Sequence, residues 1–180
     1  RLLQQMADLI GEKFEEPDWT EEIRTYFFDS QNGYFFDRIL KGDFVRVEGP
    51  EGWTPLWTEI ATTEQAGKVM KIIADTNKFS TYIPFPTLAA DHPKFLPGGY
   101  WRGPIWLDQV YFGISGIRKY GYHEEADRYT DQVFTRLKGL SGKAPIHENY
   151  DTHDGSVLKA PHFSWSAAHL LMMYWEYGKE

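Results

Sequence analysis

The stretch Pro145-Ile146-His147-Glu148-Asn149-Tyr150-Asp151 places one carboxylate among hydrogen-bonding and aromatic side chains, between the turn formers Gly142 and Pro145 and the later Gly155. Loops held by regular elements on both sides are common places for working residues. A carboxylate so placed can take a proton from water, which makes Glu148 the candidate general base. A solvated loop carboxylate with no role would look the same in sequence. A second run, Gly98-Gly99-Tyr100-Trp101-Arg102-Gly103-Pro104-Ile105-Trp106-Leu107-Asp108-Gln109, is the most distinctive in the chain. Its adjacent glycines let the backbone turn sharply. Trp101 and Trp106 offer flat apolar faces with a polar N–H edge, suited to the mixed C–H and hydroxyl surface of a sugar ring. Arg102 supplies forked donors that grip hydroxyls or orient a carboxylate. The same run also reads as a helix start whose tryptophans fill a core and whose Arg102 pairs with Asp108. Phe163-Ser164-Trp165-Ser166-Ala167-Ala168 repeats the theme of an aromatic platform at a helix start, and equally reads as a packed helix end capped by Ser164.

These stretches need elements to hold them. Leu2, Leu3, Met6, Leu9, Ile10 and Phe14 recur at helical spacing, predicting an amphipathic helix over residues 1–14 that closes before Pro17. Thr20 suits the cap of a short helical piece with Glu21 and Glu22 in its first turn. Asn32-Gly33 lies between the aromatic runs Tyr26 to Phe28 and Tyr34 to Phe36, which predicts a small β-hairpin near residues 26–38. Residues 41–56 are rich in Gly and Pro and read as a loop, containing Gly52-Trp53-Thr54-Pro55-Leu56-Trp57. A helix follows from near Thr62, with a Thr62–Gln65 capping box and an apolar face of Ala66, Val69, Met70 and Ile73. Residues 76–104 carry Pro84, Pro86, Pro93, Pro97 and Pro104 and form a long link of the kind that is usually functional. Pro104 suits the first position of a buried helix over about 105–120, which Gly121 stops. A second helix from His123 to Lys138 puts Ala126, Tyr129, Val133, Phe134 and Leu137 on one side. The two form an αα-hairpin with an inner and an outer member. Trp165 to Tyr177 reads as another inner helix, so the motifs at the starts of both inner helices face a common end.

Aromatic residues make up 17% of the 180, more than a core needs, and surplus rings often line pockets. A net charge of −7 without long runs argues against a nucleic-acid or anionic-membrane surface. No apolar run reaches membrane-spanning length, so a soluble protein of open compartment is expected. The absence of cysteine excludes disulfides, thiolate catalysis and zinc–thiolate sites. The chain begins with Arg inside one predicted helix and ends in another, which reads as a piece of something longer or a processed product.

The runs GYWRGPIW, PIHENYD and FSWSAAHLL, in that order and spacing, resemble the C-terminal half of the catalytic domain of glycoside hydrolase family 63. That family contains α-glucosidases and related bacterial sugar hydrolases and is a relative of the trehalases. The aromatic hairpin and the Gly52–Trp57 run look similar to it too, so the resemblance covers nearly the whole chain. It implies an all-α fold, with residues 1–180 as one segment forming roughly half of an (α/α)6 barrel with its pocket at one end. It also implies an inverting mechanism on α-glucosides or related sugars. There a carboxylic acid protonates the leaving oxygen and a carboxylate about 6.5–9.5 Å away activates water. By its place in the motif Glu148 matches the family's base; Trp101, Arg102, Trp106, Tyr150 and Trp165 fall where the family lines its sugar pocket, and Trp53 joins them as an expected contact. His147 either orients the base or binds a hydroxyl, and neither metal nor cofactor is expected. The family's general acid is an Asp in an upstream motif that this chain does not match. A small carbohydrate is the expected partner, with a complementary N-terminal segment or a second copy covering the open half barrel. A non-catalytic carbohydrate-binding or assembly module, or another α/α-toroid enzyme such as an epimerase or lyase, remain alternatives.

Overall fold

The computed structural model describes residues 2–178. Helix α1 (Leu2–Ile10) is shorter than the periodicity predicts, and Arg1 lies outside the described residues. The helix stops before Gly11, whose φ of +73° is the left-handed value that suits glycine. Of its apolar stripe only Ala7 is buried, and Leu3, Met6, Leu9 and Ile10 face solvent.

Helix α2 (Thr20–Phe27) takes in Tyr26 and Phe27, which the aromatic pattern assigned to a strand. Thr20 does not cap it; the Asp18 carboxylate accepts the Thr20 N–H at 3.0 Å instead. The predicted hairpin is therefore reduced to β1 (Phe28–Asp29) and β2 (Tyr34–Phe35), paired antiparallel. Its turn is longer than a two-residue Asn-Gly turn because the Asp29 carboxylate gathers the N–H groups of Gln31 and Asn32 and the Asn32 amide. A second ladder, β3 (Asp37–Arg38) with β4 (Phe44–Val45), occupies part of the expected loop. The Arg38 guanidinium closes its tip, donating to the Gly42 and Tyr26 carbonyls while lying over the Tyr26 and Phe44 rings. Residues 50–57 are likewise not loop but a 3₁₀ turn (Pro50–Gly52) and the one-turn helix α3 (Thr54–Trp57).

Helix α4 (Thr63–Ile73) carries both hydrogen bonds of the Thr62–Gln65 capping box and buries Ala66, Val69, Met70 and Ile73. The long link that follows fills the core with Phe79, Ile83, Phe85 and Ala89. Helix α5 (Leu107–Lys119) starts later than predicted. The reason is tertiary: Ile105 exchanges both backbone hydrogen bonds with Tyr150, at 2.9 and 3.1 Å, and stays extended, so Pro104 cannot open the helix. Helix α5 is buried nearly all round, packing closely on α3; a Cβ on Gly116 would stand 2.9 Å from the Trp57 nitrogen. Helix α6 (His123–Arg136) lies outside it and buries Ala126, Tyr129 and Val133, as its pattern predicts.

The Glu148 stretch, expected as a loop, is the strand β5 (His147–Tyr150) of a hairpin with β6 (Val157–Pro161). Helix α7 (Ser164–Tyr177) packs on α5, with Ser164 as its first residue rather than its cap. The fold is thus mainly helical with three two-stranded ladders where one hairpin was predicted. One face of α7 lies open, Leu171, Tyr174 and Trp175 being exposed, the last at 78%. None of the described helices is long and apolar enough to cross a membrane.

Candidate active site

Asp151 and Gly155 shape the hairpin that carries Glu148. The Asp151 carboxylate accepts the His153 N–H at 2.8 Å, and its carbonyl accepts the Gly155 N–H at 2.9 Å. Gly155 has φ +70° and packs on the end of α6, where an added Cβ would stand 2.2 Å from the Arg136 carbonyl. Lys138 holds the same tip through Asp154, whose carboxyl the Lys138 ammonium keeps well below the usual carboxylate range. The Thr152 hydroxyl donates to the Gly103 carbonyl, tying the hairpin to the Gly98–Gln109 run.

Along the ladder His147 faces Pro161 and Asn149 faces Leu158, which leaves Lys159 and Ala160 opposite Glu148 alone. This is a β-bulge, with Lys159 at φ +60°. Bulges re-aim side chains and are over-represented beside active sites. Glu148 itself is half-buried, and among the described residues it forms no ion pair.

The segments that carry two of the indoles are hydrogen-bonded to this strand. Trp101 and Trp106 lie parallel, 5° apart in plane with centroids at 4.2 Å, and Tyr100 stands edge-on to both. The Trp106 N–H donates to the Tyr100 carbonyl at 2.8 Å, bracing a residue whose φ is +63°. Trp165 sits 5.7 Å from Trp106, and Phe163 stacks on Trp165. Trp106 directly follows Ile105, the residue paired with Tyr150; Trp165 directly precedes Ser166, whose hydroxyl donates to the Glu148 carbonyl at 2.8 Å. Base candidate and platform are therefore joined by two short links.

Not every predicted sugar contact stands at this surface. Trp101 and Trp165 are 43% and 44% exposed, whereas Trp106 is 2% exposed beneath Trp101 and backs the platform. Arg102 is exposed and makes no ion pair with Asp108, contrary to the core-filling alternative. Asp108 is buried and accepts from the Gln109 amide at 2.7 Å, and burial pushes its carboxyl up. Tyr150 is a correction: its ring is fully buried, and its hydroxyl accepts the His147 N–H at 3.2 Å, so it supports β5 from inside. Trp53 is a second correction, fully buried with its ring edge-on to Phe79 and Phe85 at 5.2 and 5.3 Å. Trp53 and Trp101 both lie in Gly- and Pro-rich runs, and such a run looks alike in sequence whether the indole is covered, as at Trp53, or open, as at Trp101. His147 is half-buried, its Nδ1 without a partner among the described residues. Ser166, and Asn149 with neither amide atom paired among the described residues, are buried polar residues that escaped the sequence reading. Neither carries a local signal, because their surroundings come from distant elements. A cleft of about 420 Å³ lies between the segment leading into β5 and the start of α7, lined by Pro145, Ile146, His162 and Phe163 among others, with Glu148 and the indoles outside its lining.

Residues 1–166 match the family model of the mannosylglycerate hydrolase MGH1-like glycoside hydrolase domain. The chain belongs to this family. It is 26% identical over 151 residues to a mannosylglycerate hydrolase of Thermus thermophilus, covering 82% of this chain and 34% of that protein. To a mannosylglycerate hydrolase of Rubrobacter radiotolerans it is 29% identical over 157 residues, covering 84% of this chain and 34% of that one. The chain thus spans about a third of the length of these curated relatives. Among solved structures, a family 63 mannosylglycerate hydrolase of Thermus thermophilus in complex with glucose has the same fold: TM-score 0.79, 24% identity, 96% of this chain and 43% of that one. The resemblance to glycoside hydrolase family 63 read from the three runs holds. The chain is accordingly a part of an (α/α)6 barrel.

Proposed function

We propose that this segment supplies the general base and the sugar platform of an inverting glycoside hydrolase acting on α-glucosides or related α-glycosides. The observation that carries the reading is the half-buried Glu148 opposite a β-bulge, its strand linked to both indole-bearing segments. Glu148 takes a proton from the attacking water. Trp101 and Trp165 offer their faces to the C–H surface of the sugar, with Trp106 behind them. Arg102 grips hydroxyls or the carboxylate of an acidic leaving group. The second reading of its substrate follows the relatives' names: a hexosylglycerate such as mannosylglycerate has both a sugar ring for the indoles and a carboxylate for Arg102.

Inversion needs a general acid on the other side of the bond. It comes, on this reading, from a complementary segment or second copy that also covers the open face of α7. In the complete enzyme Glu148→Gln lowers kcat by roughly 10²–10⁴-fold, the usual contribution of an acid or base. NMR of the first product formed detects the anomer opposite to that of the substrate. Unchanged turnover in Glu148→Gln removes the assignment. Sugar binding without any hydrolysis by the complete protein favours the non-catalytic module instead.

A further inference from the structure

Serine and threonine hydroxyls inside a helix ordinarily bond back to the carbonyl one turn earlier. Thr130 and Thr135 of α6 do so, to Ala126 and Asp131. Ser166, near the start of α7, does otherwise: its hydroxyl leaves the helix and donates to the Glu148 carbonyl at 2.8 Å. Ser166 is 3% exposed, so this bond has little competition from water. One turn away the Phe163 N–H donates to the Ile146 carbonyl at 3.0 Å. Carbonyls of residues two apart in an extended chain point the same way, so the start of α7 grips one edge of the strand at two successive places. The grip falls at the bulge, where Lys159 and Ala160 crowd opposite Glu148 and the regular ladder is interrupted. A backbone carbonyl left unpaired there would be destabilising, and the hydroxyl prevents it.

We propose that Ser166 is a positioning residue for the reaction, holding the Glu148 backbone at the angle from which its carboxylate reaches the water. It does so while fixing, through its neighbour Trp165, the offset between that carboxylate and the sugar-facing indole. This rests on Glu148 being the base, and the test is arranged to separate the two. In the complete enzyme Ser166→Ala lowers kcat roughly 10- to 100-fold, the scale of an ångström-sized misplacement of a reacting group. KM stays within about threefold, because the platform keeps its stacking partners. Ser166→Thr, which keeps the hydroxyl, restores kcat to within about threefold of wild type. Ser166→Cys keeps the size and weakens the donor, gives a smaller drop in the same direction, and serves if the alanine variant does not fold. Ser166→Ala added to Glu148→Gln causes no further loss, since a residue acting through another is silent once that other is gone.

Wild-type kcat in Ser166→Ala beside an inactive Glu148→Gln overturns the inference and leaves the base assignment standing. So does a loss of the same size in both backgrounds, which marks a structural role. Full turnover in Glu148→Gln overturns the base assignment and this inference with it.

Discussion

Trp53 and Trp106 anchor aromatic clusters built from the same residue types but arranged differently. Around Trp53, the rings of Phe79 and Phe85 meet it edge-on, Tyr129 meets Phe85 edge-on, and all four side chains are fully buried. Around Trp106, the Trp101 indole lies parallel at 4.2 Å and Trp165 leans against it, with two of the three indoles open to solvent. In the first cluster every ring is enclosed by its neighbours and no flat surface is left outside. Parallel stacking covers one face and presents the other. The contrast teaches that an aromatic surplus marks neither core nor pocket until ring exposure is known: the first cluster is closed on itself, and the second presents open indole faces.

Exchanging the roles of these clusters gives a series of tests. The largest expected change in stability is for Trp53→Ala, which removes a fully buried ring and destabilises by about 3–5 kcal/mol. Chemical denaturation measures it, and a loss below about 1 kcal/mol would mean the first cluster is not the structural one. Next comes a pH effect on the same side of the comparison. Burial, with the Asp37 and Glu48 charges adding to it, pushes the Glu51 carboxyl up from 4.5 to about 8. The folded chain therefore binds more protons than the unfolded chain between those values, so stability present below pH 4.5 is lost as pH rises to about 8. The expected loss is on the order of a few kcal/mol. Melting curves from pH 5 to pH 8 should show it in the wild type and a flatter response in Glu51→Gln, which should also be the more stable at pH 8.

Gly155→Ala tests the joint between the regions, where the site hairpin docks on α6, the helix that contributes Tyr129 to the buried cluster. With φ +70° and the Arg136 carbonyl in the way, the substitution should destabilise by about 1–3 kcal/mol. Hydrogen exchange in β5 and β6 should rise more than in α4. The smallest change in stability is expected at the platform. Trp101→Ala should leave the denaturation midpoint nearly unchanged yet weaken sugar binding about tenfold, since the half-exposed ring contributes its free face to a ligand more than to the core. Titration calorimetry with a short α-glycoside separates these. A large stability loss without weaker binding would make the two clusters alike.

How much of this was legible beforehand varies with the range of the forces involved. The capping box at Thr62 and Gln65, the buried face of α4 and the inward side of α6 are local patterns, and they appear where the periodicity puts them. Tyr26 and Phe27 misled because aromatic residues favour strands on average, while here the helix begun at Thr20 carries through them. The hairpin of β5 and β6 was hidden because its pairing is irregular at the bulge and its neighbours are remote: Ile105 on one side, Ser166 on the other. Arg102 shows the reverse case: its exposure removes the pairing with Asp108 that the local sequence allowed.

By itself the amino-acid order determined the longer helices α4, α6 and α7, the inward residues of α4 and α6, the candidate base and the family, because these depend on spacing along the chain and on side-chain chemistry. Only the folded molecule decided that Glu148 stands on a bulged strand, that Trp53 and Tyr150 are covered while Trp101 and Trp165 are open, and that Ser166 spans from α7 to the strand. Those outcomes depend on which surfaces meet across long stretches of chain. A side chain's exposure and hydrogen-bond partner follow from that meeting, not from its neighbours in sequence.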